Sequence, residues 1–234
     1  AAILASIAFH TRVTADDVYR EGMTKVSAAD FESAKALGCT IKLLAICERL
    51  TTGKGKQRVS ARVYPALVPL DHPLASVNGA FNAVFVEAEA AGELMFYGRG
   101  AGGAPTASAV MGDVVMAARN RVQGGRGPRE SKYAKLPIAS IGAIETRYYV
   151  SMNVADKPGV LSSVAAEFGK REVSIAEVRQ EGMEDESGQR SGARIVVVTH
   201  RATDEALSET VAALADHEAV QSINSVLRME GTSK

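Results

Sequence analysis

The sequence predicts an α+β protein: a β-rich layer with several helices, followed by a smaller strand–helix–strand–strand–helix–strand unit. Three observations predict it. Residues 40–97 carry two pairs of strand-like apolar runs, each pair joined by a polar or glycine-rich turn. Residues 121–137, RVQGGRGPRESKYAKLP, have linker composition, with Gly, Pro and basic residues and little apolar periodicity. Residues 146–230 then place apolar strand-length runs and amphipathic helices in the βαββαβ order.

Ala1 to Phe9 is apolar throughout and reads as a helix, with His10 at its end. Thr14-Ala15-Asp16-Asp17 and Ser27-Ala28-Ala29-Asp30 both have capping-box spacing, so each starts a helical turn. The second turn continues helically from Phe31 to Leu37 and stops at Gly38. Thr40 to Leu50 is a strand, and the Thr51–Lys56 turn returns it as a hairpin through Arg58 to Leu67, where apolar and polar side chains alternate. Ala80 to Ala88 and Gly92 to Tyr97 form another strand pair. Gly98-Arg99-Gly100-Ala101-Gly102-Gly103 then leads into a helix expected to start near Pro105-Thr106.

After the linker, Pro137 to Glu145 leads into a strand that ends at Asp156-Lys157-Pro158-Gly159. That turn is the most informative part of the chain. The first N–H groups of a helix have no intrahelical partner and sit at the positive end of its dipole. Pro158 suits the first helical turn, and Gly159 keeps side-chain bulk away. A small carboxylate, such as that of a free amino acid, can dock there; an ordinary strand-to-helix turn would carry the same residues. Val173 to Ala176, a polar loop over 184–192, and the strand Ala193 to Thr199 follow. A helix opens at Thr203 and Asp204 and runs to Ala215, and the chain closes with the apolar run Val220 to Met229.

Composition narrows the function. At 234 residues the chain has room for two domains. Lys and Arg number 27 against 27 Asp and Glu, so no excess of positive charge argues for nucleic acid as a partner. No apolar run reaches the roughly 18 residues of a membrane span. The opening AAILASIAFH is too short, and lacks the basic flank, for a signal peptide. Cys39 and Cys47 make no disulfide framework and have no metal-ligand spacing, which fits a reduced, cytoplasmic setting.

The Asp156–Leu161 turn, D-K-P-G-V-L, and the order of elements around it resemble an ACT domain, the small-molecule sensor of amino-acid metabolism, over residues 146–230. Three further pieces, GCTIKLLAICERL, VPLDHPLASVNGAFNAV and YGRGAGGAPTASAVMGD, in this order ahead of it, are similar to the C-terminal part of the homoserine dehydrogenase family. That resemblance divides the chain into residues 1–120 of the catalytic and substrate domain, a 121–145 linker and a 146–230 ACT domain. Residues 98–120 are the part expected to pack with a nucleotide domain.

The family implies hydride transfer between NAD(P)H and aspartate semialdehyde, giving homoserine. It also implies that the Rossmann domain and the proton-transfer lysine lie ahead of Ala1, so this chain is expected to hold no catalytic residue, to bind no cofactor tightly and to be inactive alone. Gly100 and Gly102 are the positions expected to face the cofactor, although a glycine needed only for sterics would read the same. In the ACT segment the resemblance nominates Asp156, Pro158, Gly159, Val160, Leu161 and Ser174 for an amino-acid effector, with L-threonine suggested by the pathway, and implies a homo-oligomer. The alternative is a non-enzymatic amino-acid-binding and dimerisation module. Asp156 could hold the effector's ammonium or cap the following helix, the latter being its expected job; Val160 and Leu161 read more as core than as pocket wall.

The remaining candidates read as structural. His72, in Asp71-His72-Pro73, reads as a turn residue; Asn78 and Asn82 fit turn chemistry. Arg99 reads as a solvated side chain, Asn153 as outward-facing, and the four histidines have no metal-ligand spacing.

Overall fold

The computed structural model describes residues 1–53, 55–125, 133–184 and 190–231. Parts of the expected linker (126–132) and of the expected polar loop (185–189) therefore lie outside the described residues. The fold is α+β. In chain order its elements are α1 (Ala2–Phe9), β1 (Tyr19–Arg20), α2 (Ala28–Ala36), β2 (Cys39–Thr51), β3 (Gln57–Pro69), β4 (Phe81–Ala88), β5 (Gly92–Arg99) and α3 (Gly103–Val122). They continue with β6 (Glu145–Val154), α4 (Val160–Gly169), β7 (Ile175–Glu184), β8 (Arg190–Thr199), β9 (Ala202–Thr203), α5 (Asp204–Ala215) and β10 (Val220–Met229).

Two compact units result, Ala1–Pro69 with Tyr133–Lys234, and Leu70–Lys132. They divide the chain at different points from the segments read in the sequence, because β3 and β10 share one sheet. That sheet runs β1-β3-β10-β6-β8-β7, with β2 also paired to β3 and β9 to β6. The β10-β6-β8-β7 part is antiparallel throughout, which is the βαββαβ topology.

Period-two alternation sorts the side chains of β6 between two faces. Tyr148, Val150, Met152 and Val154 meet Val160, Val164 and Phe168 of α4, Leu207 and Leu214 of α5, and Ala193, Ile195 and Val197 of β8. Tyr149 points the other way, into a second cluster with Ala34 of α2, Ile41, Leu67, Val198, Leu227 and Met229. Full burial of each such side chain stabilises by about 1.5–3 kcal/mol. Helices α4 and α5 therefore cover one face of the βαββαβ part, and α2 covers part of the other.

The local signals explain the smaller elements. Ser27 and Asp30 form a reciprocal capping box on α2, Thr14 and Asp17 form one on the 3₁₀ turn Ala15–Asp17, and Thr203 Oγ1 accepts the Ala206 N–H at 3.2 Å to cap α5. His10 ends α1 in the left-handed region, at φ 48°. β2 and β3 pair along their whole length, from Cys39↔Pro69 to Thr51↔Gln57. β3 was expected to alternate as one arm of a hairpin, but it is buried almost continuously. It lies between β2 on one side and β1 and β10 on the other, and carries the near-unbroken burial of an interior strand.

In the second unit β4 and β5 form an antiparallel hairpin from Phe81↔Arg99 to Ala88↔Gly92, and α3 follows. α3 has no buried residue, and Val110, Met111, Val114, Val115 and Met116 are all exposed. Among the described residues no helix is long and apolar enough to cross a membrane.

Candidate cofactor and effector sites

The glycine segment of the second unit sits at the end of β5 and the start of α3. Gly102 is the N-cap of α3 and has φ +131°, which only glycine adopts readily; its carbonyl accepts the Thr106 N–H at 3.1 Å. The helix starts at Gly103, two residues before the expected Pro105. Since Pro105 carries no N–H, the first turn offers only the N–H groups of Gly103 and Ala104 without intrahelical acceptors. Gly100 is there for a different reason. A Cβ at that position would lie 1.4 Å from Nδ2 of Asn82, so the Asn82 side chain occupies the space a larger residue would need. Asn82 is thus a β4 residue packed over the glycine segment, where turn chemistry was expected.

Gly100, Ala101, Gly102, Gly103, Thr106, Ala107, Val110 and Met111 line a hollow of about 760 Å³. Its lining is mostly apolar, and the helix start sets N–H donors at one edge. Arg99 is exposed, as read, and lays its guanidinium over the Phe81 ring at 4.9 Å; Phe81 stacks on Tyr97 at 4.8 Å. His72 caps the short turn Pro73–Ser76, accepting the Leu74 N–H at its Nδ1, and packs edge-on against Phe85. That is the structural role read for it.

The effector turn lies in the first unit, where β6 ends and α4 begins. The N-cap is Gly159, at φ +90° and with no side-chain cap hydrogen bond. Two expectations are corrected by this. Asp156 is not the N-cap of α4, and Pro158 stands ahead of the helix rather than in its first turn. The bond from Val160 N to the Lys157 carbonyl, 3.3 Å, closes the turn early, so the left-handed residue falls on Gly159. Val160 is buried as expected, but Leu161, read as core, is 41% exposed because it faces away from the sheet.

The Val160 N–H is consumed inside the turn. Leu161 and Ser162, in the first helical turn, are left with N–H groups that have no intrahelical acceptor. Leu161 and Ser162 are themselves exposed, so this helix start lies at the surface. A helix start of this kind forms a surface shelf, at the positive end of α4, of the sort where an anion can dock.

Ser174 is exposed and lies one residue before β7, not on it; its carbonyl accepts the His200 N–H at 2.8 Å. Asn153 faces out of the sheet as read, and its Oδ1 accepts from Asn224 at 2.8 Å. Among the described residues no group of His, Cys, Asp and Glu could hold a metal ion.

Sequence reading missed one cluster. Arg62, Tyr64, Tyr148, Asp204 and Arg228 are buried together, with Glu21, Glu48 and Glu230 at their edge. Burial alone would favour a neutral Arg228, but the carboxylates of Asp204 and Glu21 outweigh it and push its pKa up. Burial, and then the Glu230 carboxylate, raises the Tyr64 phenol; burial and then Asp204 raises Tyr148. The available signal was an arginine inside each of two apolar strands, at Arg62 and Arg228.

The fold defines an α+β chain with an ACT lobe: residues 148–219 match the family model of the ACT domain, and residues 1–115 match that of homoserine dehydrogenase. The homoserine dehydrogenase of Mycobacterium tuberculosis is 82% identical over 232 residues, 99% of this chain and 53% of that protein. That of Corynebacterium glutamicum is 60% identical, over 98% of this chain and 50% of that protein. The crystal structure of a homoserine dehydrogenase from Thiobacillus denitrificans matches with a TM-score of 0.87 and 31% identity, over 98% of this chain and 51% of that one. The chain belongs to the homoserine dehydrogenase family, and it spans about half the length of the curated relatives it matches.

Proposed function

We propose that this chain is the substrate-domain and regulatory part of a homoserine dehydrogenase. The whole protein would interconvert aspartate semialdehyde and homoserine with NAD(P), as a homo-oligomer. The observation that carries the reading is the joint match to the homoserine dehydrogenase and ACT family models in one chain. When bound, NAD(P) supplies the hydride. Gly102 would let the nicotinamide half approach the backbone and the α3 start would orient it, while Gly100, beside it, would keep room for Asn82. On this reading the proton-transfer group that polarises the hydride acceptor would be a lysine of the whole protein.

The effector reading rests on the shelf at Gly159–Ser162. Its N–H groups would take the carboxylate of an amino acid, L-threonine by the logic of pathway feedback, with Asp156 assigned to the ammonium and Ser174 to the side chain. The domain bounds 1–120, 121–145 and 146–230 belong to the same reading. Feedback requires that threonine favour one arrangement of the whole protein over another, since equal affinity for both shifts nothing.

The test is turnover. Purified 234-residue chain should show no NAD(P)-dependent homoserine oxidation above a blank, and measurable turnover would refute the placement of the proton-transfer group. Reading the codons ahead of Ala1 separates this account from a free-standing amino-acid-binding module: the account expects a nucleotide-binding unit and a lysine there.

A further inference from the structure

The backbone joint between β10 and β3 is short. It consists of the pairs Arg228↔Ala66 and Met229↔Leu67 and one bond from the Glu230 N–H to the Leu67 carbonyl, 2.9 Å. By contrast β6 pairs with β8 continuously from Tyr149 to Val154, and with β10 from Arg147 to Val154. Two side-chain bonds from the lobe reach α2, Ser225 Oγ to Asp30 Oδ1 at 2.5 Å and Arg179 Nη1 to the Ala36 carbonyl at 3.2 Å, and what reaches the strands β1–β3 themselves is charge.

On the lobe side, Arg228 donates from Nε and Nη2 to Asp204 Oδ1 at 2.9 and 2.6 Å, and the Tyr148 hydroxyl donates to the same oxygen at 3.0 Å. The third arm of Arg228, Nη1, crosses to Glu21 Oε1 at 2.8 Å. Its guanidinium lies 4.5 Å over the ring of Tyr64 and 5.5 Å over that of Tyr19, whose hydroxyl donates to Glu21. A second crossing runs in the opposite direction. Glu230, at the end of β10, accepts from the Tyr64 hydroxyl and lies 3.8 Å from Arg62, which also donates to Tyr64, Ser60 and Glu48.

Each side thus buries an arginine and lends a carboxylate to the other. Separating the sides would leave Arg228 and Arg62 each short of a partner in a site only 10% and 4% exposed. Opening the joint therefore costs both crossings at once, on top of the backbone pairs.

We propose that this cluster is a latch that makes the βαββαβ lobe and strands β1–β3 open as one cooperative unit, with Glu21 and Glu230 as its two crossing members. Strain placed on the lobe then reaches β3 through side chains rather than through the short backbone joint. The competing carrier is the apolar cluster of Ala34, Leu67, Tyr149 and Leu227, which also spans the joint. Apolar contact is non-directional and would survive the loss of either carboxylate.

Native-state hydrogen exchange on the 234-residue chain decides between them. In the wild type, amides of β3 and of β6, β8 and β10 should exchange through a common opening. In the Glu21→Gln/Glu230→Gln double variant, β3 amides should exchange about tenfold or more faster, as expected for turning two charge-assisted bonds into neutral ones, while β6 and β8 keep their protection. Each single variant should show part of the effect, and neither removes a fully buried group. Glu48→Gln, which touches Arg62 without crossing the joint, should leave the common opening intact. Independent openings in the wild type, or unchanged coupling in the double variant, would overturn the proposal.

Discussion

Substituting Gly192 by alanine gives the sharpest stability test of the sensor lobe. Gly192 stands in β8 opposite Met183, at φ +156°, and a Cβ there would lie 2.8 Å from the carbonyl oxygen of Val154. That contact is with backbone, so no side-chain rotation relieves it; the next neighbour, Gln221 Oε1, lies at 3.4 Å and can move. The end of β6 must shift or β8 must bulge. Overpacking of this kind costs about 1–3 kcal/mol. In a unit of this size each kcal/mol lowers the melting point by roughly 2–4 °C. Gly192→Ala should therefore melt several degrees below the wild type in a thermal scan followed by circular dichroism.

Gly182, on the neighbouring strand opposite Ala193, is the control. Nothing lies within 4 Å of its Cβ position, so Gly182→Ala should be neutral or slightly stabilising. Because Val154 is the last residue of β6 before the effector turn, Gly192→Ala should also weaken amino-acid binding there. Equal melting points for the two variants would refute the argument that Val154 sets the size limit at Gly192.

Three further outcomes follow from the packing and the charges. Phe168→Ala empties a fully buried position between α4 and the sheet and should cost about 3–5 kcal/mol in a urea titration. Thr203→Ala removes the α5 cap and should cost about 1 kcal/mol by the same measurement. Tyr64 and Tyr148 have folded-state pKa values raised above 10.0, by burial first and a neighbouring carboxylate second. Their contribution to stability is complete below 10.0 and lost as pH rises toward the folded-state values. Tyrosinate absorbance should therefore show these two ionising only as the circular dichroism collapses, and smooth ionisation with the fold intact would contradict their burial beside Glu230 and Asp204.

Local signals made much of this fold readable. Ser27 with Asp30, and Thr14 with Asp17, announce their turns because a capping box needs only four residues. The βαββαβ order was legible because each element carries its own apolar period. What escaped depends on residues far apart in the chain. The pairing of Ala66 with Arg228 joins positions whose neighbours give no sign of one another, so β3 looked like half of an isolated hairpin. The same separation hid the partners of Arg62 and Arg228. At the sites the residue types were legible and their geometry was not: Gly159, rather than Asp156, caps α4; Pro158 stands outside the helix; and Gly100 answers to the side chain of Asn82. Each of these depends on backbone angles or a close approach that spacing alone does not reveal.

The central claim is that the β6–α4 turn reads a free amino acid for a homoserine dehydrogenase. Titrating L-threonine into the chain in a calorimeter, with hydrogen exchange to locate the contact, tests it most directly. The account predicts heat of binding and slowed exchange at the amides of Leu161 and Ser162, both abolished or strongly weakened in Asp156→Ala. Saturating threonine with no heat and no protection at that turn would contradict it.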